Sequence, residues 1–101
     1  MKDIEKFYDL INLIENELFI DHDFDTMNLN DESVLRLRIY KNDELFIEFW
    51  INGNDTLYDL QYQIFNENDT HNAMLMWLNE NEVVMEIHDI IENGLEGEGV
   101  L

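Results

Sequence analysis

Residues 33–51 read SVLRLRIYKNDELFIEFWI, two alternating runs of apolar and polar side chains separated by Asn42, Asp43 and Glu44. Leu35, Leu37 and Ile39 fall on one side and Arg36, Arg38 and Tyr40 on the other, the period of two that a β-strand imposes. In the second run Leu45, Ile47, Phe49 and Ile51 share a side, opposite Phe46, Glu48 and Trp50. A loop of residues 42–44 sets Arg38 against Glu48, Arg36 against Trp50, Leu37 against Phe49 and Ile39 against Ile47. Charge then meets charge on one face and apolar meets apolar on the other, so this register satisfies both.

Downstream, a turn at 52–55 containing Gly53 leads into a third alternating strand. Tyr58, Leu60, Tyr62 and Ile64 point inward there, and Asp59, Gln61 and Gln63 outward. Upstream, residues 3–19 place Ile4, Phe7, Ile11, Ile14 and Leu18 on one helical face, with Asp3 as N-cap. Residues 20–32 scatter acids and amides around Phe24, Met27 and Leu29 and are expected to form a connecting loop. After the polar segment 66–69 come six consecutive apolar residues, 73–78. Periodicity does not separate helix from strand in such a run, and helix is the expectation. Residues 82–93 carry Val83, Val84, Ile87, Ile90 and Ile91 on one helical face, capped by Asn81 and stopped by Gly94. The expected fold is α+β: an N-terminal helix, a three-stranded antiparallel meander and one or two C-terminal helices. Residues 1–94 would form a single domain and 95–101 a flexible acidic tail.

Charge is the outlying property. Among 101 residues stand 24 Asp and Glu against five Lys and Arg, a formal net charge of -19. All five cations (Lys2, Lys6, Arg36, Arg38 and Lys41) precede residue 42. Such a chain repels nucleic acid and anionic membranes and attracts a basic protein surface. Without cysteine there is neither disulfide nor thiolate metal cage. No apolar stretch approaches the ~18 residues that span a bilayer, and the N-terminal residues do not read as a secretion signal. The expected location is cytoplasmic, in the host cell if the gene is a phage's.

Parts for catalysis are few. The single serine, Ser33, sits at a strand start, and His22, His71 and His88 lie in separate segments. No enzyme and no cofactor are expected. Asp21, Asp23, Asp25 and Glu32 match positions 1, 3, 5 and 12 of a calcium loop, but Thr26 stands where the turn needs glycine and Asn28 where an apolar residue is usual. A solvated acidic loop is the plainer reading, and no metal is expected.

The acids carry the stronger signal. Glu82, Glu86 and Asp89 follow steps of four and three on the last helix, with Glu92 beyond them, and Glu5 and Asp9 pair on the first. Each like-charged i,i+4 pair costs about 0.2–0.5 kcal/mol, so stability does not explain them. Their Cβ spacing of about 5–6 Å on a helix, and of about 6.6 Å between alternate strand residues, is comparable with that of a nucleic-acid backbone. The expected partner contacts are Glu82, Glu86, Asp89 and Glu92, together with Asp43, Glu44, Asp55 and Asp59. Acidic surfaces also serve solubility alone.

Two apolar features remain. Tyr40, Phe46 and Trp50 would cluster with Arg36, Arg38 and Glu48 on the outward sheet face, where a covering helix is expected. Met74, Met76 and Trp77 exceed what one side of a short helix buries, which leaves a homodimer contact and simple burial both open.

In size, acidity, lack of cysteine and α+β pattern the chain resembles the phage-encoded DNA-mimic inhibitors of the anti-CRISPR and anti-restriction classes. The resemblance extends to no sequence motif. It implies inhibition by occupying a nucleic-acid or PAM-reading cleft of a CRISPR effector or restriction nuclease. Alternatives are an immunity protein that neutralises a basic nuclease toxin and a non-inhibitory acidic phage adaptor.

Overall fold

The computed structural model describes residues 7–16, 18–54, 57–65 and 70–99. A helix, α1 (Tyr8–Glu15), precedes five strands, β1 (His22–Leu29), β2 (Glu32–Lys41), β3 (Glu44–Asn54), β4 (Leu57–Phe65) and β5 (Thr70–Leu78). A second helix, α2 (Glu80–Gly99), follows them. The strands pair antiparallel in sequence order, β1-β2-β3-β4-β5, as one meander. The expectation of three strands is therefore corrected to five. Residues 20–32 form β1 in place of a loop, and residues 73–78 belong to β5 in place of a helix.

The central hairpin has the register expected from 33–51, with Arg38 opposite Glu48 and Leu37 opposite Phe49, but reaches it by another route. Lys41 faces Glu44 across a two-residue turn in which Asn42 and Asp43 have φ of 54° and 65°. Positive φ at both central residues is the type I′ geometry, whose twist matches that of paired strands. One residue, Phe46, is then left unpaired as a bulge between Ile39 and Tyr40. The short turn and the bulge together restore the register of a three-residue loop. They also exchange two side chains: Leu45 is exposed, and Phe46, expected on the outward face, is buried in the core.

Asn30 and Asp31 repeat the same turn, with φ of 53° and 66°, and fold β1 back on β2. Asp is a poor strand former, yet Asp23 and Asp25 find partners across the strand pair. Asp23 accepts a 2.9 Å hydrogen bond from the Tyr40 hydroxyl, and Asp25 accepts two from Arg36. Cross-strand pairing has overridden propensity here.

Both helices lie on one face of the sheet. Phe7, just before α1, and Leu10, Ile11 and Ile14 on it meet Val83, Ile87 and Ile91 of α2 over Leu35, Leu37, Ile39, Ile47, Phe49, Ile51 and Leu60. The Ile14 carbonyl receives a 3.2 Å hydrogen bond from His88 Nε2, which ties the helices together. At the start of α2, Asn79 and not Asn81 is the cap. Its Oδ1 accepts from the Glu82 amide and its own amide donates to Glu82 Oε1, both at 2.9 Å, a reciprocal capping box. Gly94 does not stop α2, which runs on to Gly99. A Cβ there would stand 3.2 Å from the Phe46 ring, so the glycine lets the helix settle onto the bulged phenylalanine. The Asp3 cap lies outside the described residues.

Candidate functional site

The second sheet face has no helix over it among the described residues, against the expectation of cover. Its rows follow from the pairing: Asp23, Arg38, Glu48 and Gln63 in one, Asp25, Arg36, Trp50, Gln61 and Met74 in the next. Both arginines are engaged within the sheet. Arg36 forms a bidentate pair with Asp25, its Nε donating over 2.8 Å, and Arg38 Nε donates to Glu48 Oε2 over 2.9 Å. The Arg36 hydrogen bond, opposed by partial burial, holds the Asp25 carboxyl below its ordinary pKa. Beside the ion pairs Trp50 lines a shallow hollow of about 240 Å3 with Met27, Val34 and Met74, rimmed by Asn52, Asp59 and Gln61. Val34 is buried there although it lies outside the main core. This face thus holds an apolar patch framed by paired charge.

Of the residues expected to contact a partner, Glu82, Glu86, Asp89 and Glu92 all lie on α2. Glu82, Asp89 and Glu92 are exposed and Glu86 is partly so. No hydrogen bond or ion pair engages Glu86, Asp89 or Glu92 among the described residues. Glu82 has a second task, because its carboxylate closes the capping box. Asp43 and Glu44 are exposed at the β2–β3 turn, and Asp59 lies on β4 at the rim of the hollow. Asp55 lies outside the described residues. The expected contacts therefore fall in three places: the α2 face, the β2–β3 turn and, about 26 Å along β3 from that turn, the rim of the hollow at Asp59.

The four carboxylates of the calcium-loop spacing do not converge. Asp23 and Asp25 lie along β1, where alternate residues stand about 6.6 Å apart. Asp25 is occupied by Arg36, and Glu32 accepts a 3.1 Å hydrogen bond from the Asn52 amide. Among the described residues no three His, Asp or Glu side chains gather as metal ligands.

Two features had escaped the residue pattern. At the C-terminal end of β5 the register slips so that Met76 and Trp77 stand opposite Asp59, and Trp77 adopts φ 63° with its amide 3.4 Å from Asp59 Oδ1. Residues 73–78 are apolar on both sides of the strand, so no alternation marks them as one. The second is β1 itself, whose signal was the Asn-Asp-Glu triplet at 30–32 that recurs at 42–44.

No helix among the described residues is long and apolar enough to cross a membrane. No protein-family model matches the chain, and neither a curated protein nor a solved structure matches it.

Proposed function

We propose that this chain is an acidic inhibitor that seats a carboxylate ridge in the basic, nucleic-acid-binding cleft of a defence nuclease, an anti-CRISPR-like or anti-restriction-like action without catalysis. The observation that carries this reading is the partition of charge. Arg36 and Arg38 are spent on Asp25 and Glu48 within the sheet. Glu86, Asp89 and Glu92 on α2 have no cationic partner among the described residues. Aligned, uncompensated carboxylates destabilise their own helix, and a cleft lined with Lys and Arg would relieve that repulsion while releasing its counterions.

The test is competition for DNA on a panel of CRISPR effectors and restriction nucleases. The inhibitor should displace duplex DNA from its target, with affinity falling by about tenfold or more between low and moderate salt. The variant Glu86→Lys/Asp89→Lys/Glu92→Lys, which spares the cap at Glu82, should keep its circular dichroism spectrum and lose displacement. Undiminished displacement by that variant removes α2 from the interface.

A second reading, an immunity protein against a basic nuclease toxin, is favoured by the exposed Met74, Met76 and Trp77, which would supply the apolar anchor such a complex needs. It predicts toxin binding that persists when DNA is present.

A further inference from the structure

β5 is an outer strand of the sheet, and among the described residues no strand pairs with its free edge. Its sequence, THNAMLMWL, contains neither a charged residue nor proline. Exposed edges are ordinarily protected by charge, proline, bulges or brevity. The opposite edge follows that rule, since β1 carries Asp23 and Asp25. On β5 the only such device is the slip at Met76 and Trp77, which leaves the pairing of residues 70–75 regular.

Met74, Met76 and Trp77 are 55%, 52% and 66% exposed on this strand. Trp77 holds the left-handed conformation that bulky side chains rarely adopt, and this outlier places a large indole in water at the end of the edge. An unpaired edge offers a row of N–H and C=O groups whose full complement is another extended backbone.

We infer that the free edge of β5 accepts an extended segment of a cationic protein as a sixth strand, with Met74, Met76 and Trp77 gripping its apolar side chains. Charge complementarity selects this occupant. A second copy would bring another net charge of -19 against the first, whereas a strand bearing Lys or Arg meets Asp59 beside the edge and Glu80 and Glu82 just beyond it. The inference rests on the proposal of a basic partner and adds the backbone pairing by which that partner is held.

The probe is a capped seven-residue peptide alternating Val and Lys, titrated into the Trp50→Phe protein so that Trp77 is the sole indole. Saturable change in Trp77 emission and slowed hydrogen exchange along β5 are expected. A peptide with proline at its centre, and one with Glu in place of Lys, should each bind about tenfold more weakly or worse. Met76→Lys, or Met74→Lys should the first variant not fold, should weaken binding to a similar degree. Glu86→Lys/Asp89→Lys/Glu92→Lys should leave peptide binding within about threefold, so that loss of the helix ridge and loss of the strand edge are read separately. Equal affinity for the proline peptide would reduce the contact to bulk charge and overturn the inference. So would sedimentation as a dimer that Met76→Lys dissolves, which would put a second copy on the edge.

Discussion

Trp77 stores strain that its neighbours must hold in place. A non-glycine residue in the left-handed region costs on the order of 1–2 kcal/mol, and this side chain is mostly in water. Trp77→Gly should therefore raise stability by about 1 kcal/mol, even after the greater freedom glycine has when unfolded. Urea denaturation checks this, and a fall in the midpoint would show that the indole contributes packing its exposure hides. His22 is a second telling residue. Its Nδ1 lies 2.7 Å from the Ile20 carbonyl and its Nε2 2.9 Å from Glu15 Oε2, so both ring nitrogens face acceptors and only the imidazolium satisfies both. Burial alone would lower its pKa; the Ile20 carbonyl, then Glu15 and Asp23, outweigh burial and raise it above the ordinary 6.5. Its contribution to stability is complete below that ordinary value and is lost as pH rises through the folded one. His22→Gln should flatten the change in unfolding free energy between about pH 6 and pH 8, and an unchanged slope would assign that change elsewhere.

Among the elements, α2 depends on its first turn. Asn79→Ala should cost about 1 kcal/mol by removing one half of the capping box, seen as a lower urea midpoint with an unchanged slope. Glu82→Lys would break the other half, so its effect on binding mixes charge with helix stability. The β2–β3 hairpin was legible because alternation continued through both runs and its two faces agreed on a register. The first strand was not, because Asp23 and Asp25 oppose strand formation until Tyr40 and Arg36 lie beside them, a relation between segments that local pattern does not contain. The last strand is hidden because residues 73–78 are apolar at every position, and Phe46 reads as outward because a one-residue bulge and a shorter turn yield the same register as a longer loop. Gly94 read as a helix stop because glycine commonly is one; its use here, close approach to the Phe46 ring, requires knowing what lies beneath. The acids on α2 were legible as a stripe, since helical spacing alone aligns them, whereas the structural duties of Glu82 and Asp59 appeared only with their partners.

At the scale of the whole molecule, repulsion among carboxylates opposes compaction. The melting temperature should rise as sodium chloride is increased from about 10 mM to about 500 mM, since screening acts within roughly 3–30 Å over that range. Differential scanning calorimetry checks this, and a flat or falling profile would mean that the ion pairs on the sheet outweigh the net repulsion. The meander has a further consequence for how the molecule reaches its native state. Each strand pairs with its sequence neighbour, and the chain contains no proline whose isomerisation could delay it. Hairpins can thus zip up one after another with short loops to close. The layer above them is different, because α1 precedes all five strands, α2 follows them, and the two meet through Ile14 and His88. Sealing the apolar side of the sheet over Leu37, Ile47 and Phe49 is therefore the contact of greatest sequence separation, and its loop-closure cost falls on the helices and not on the meander.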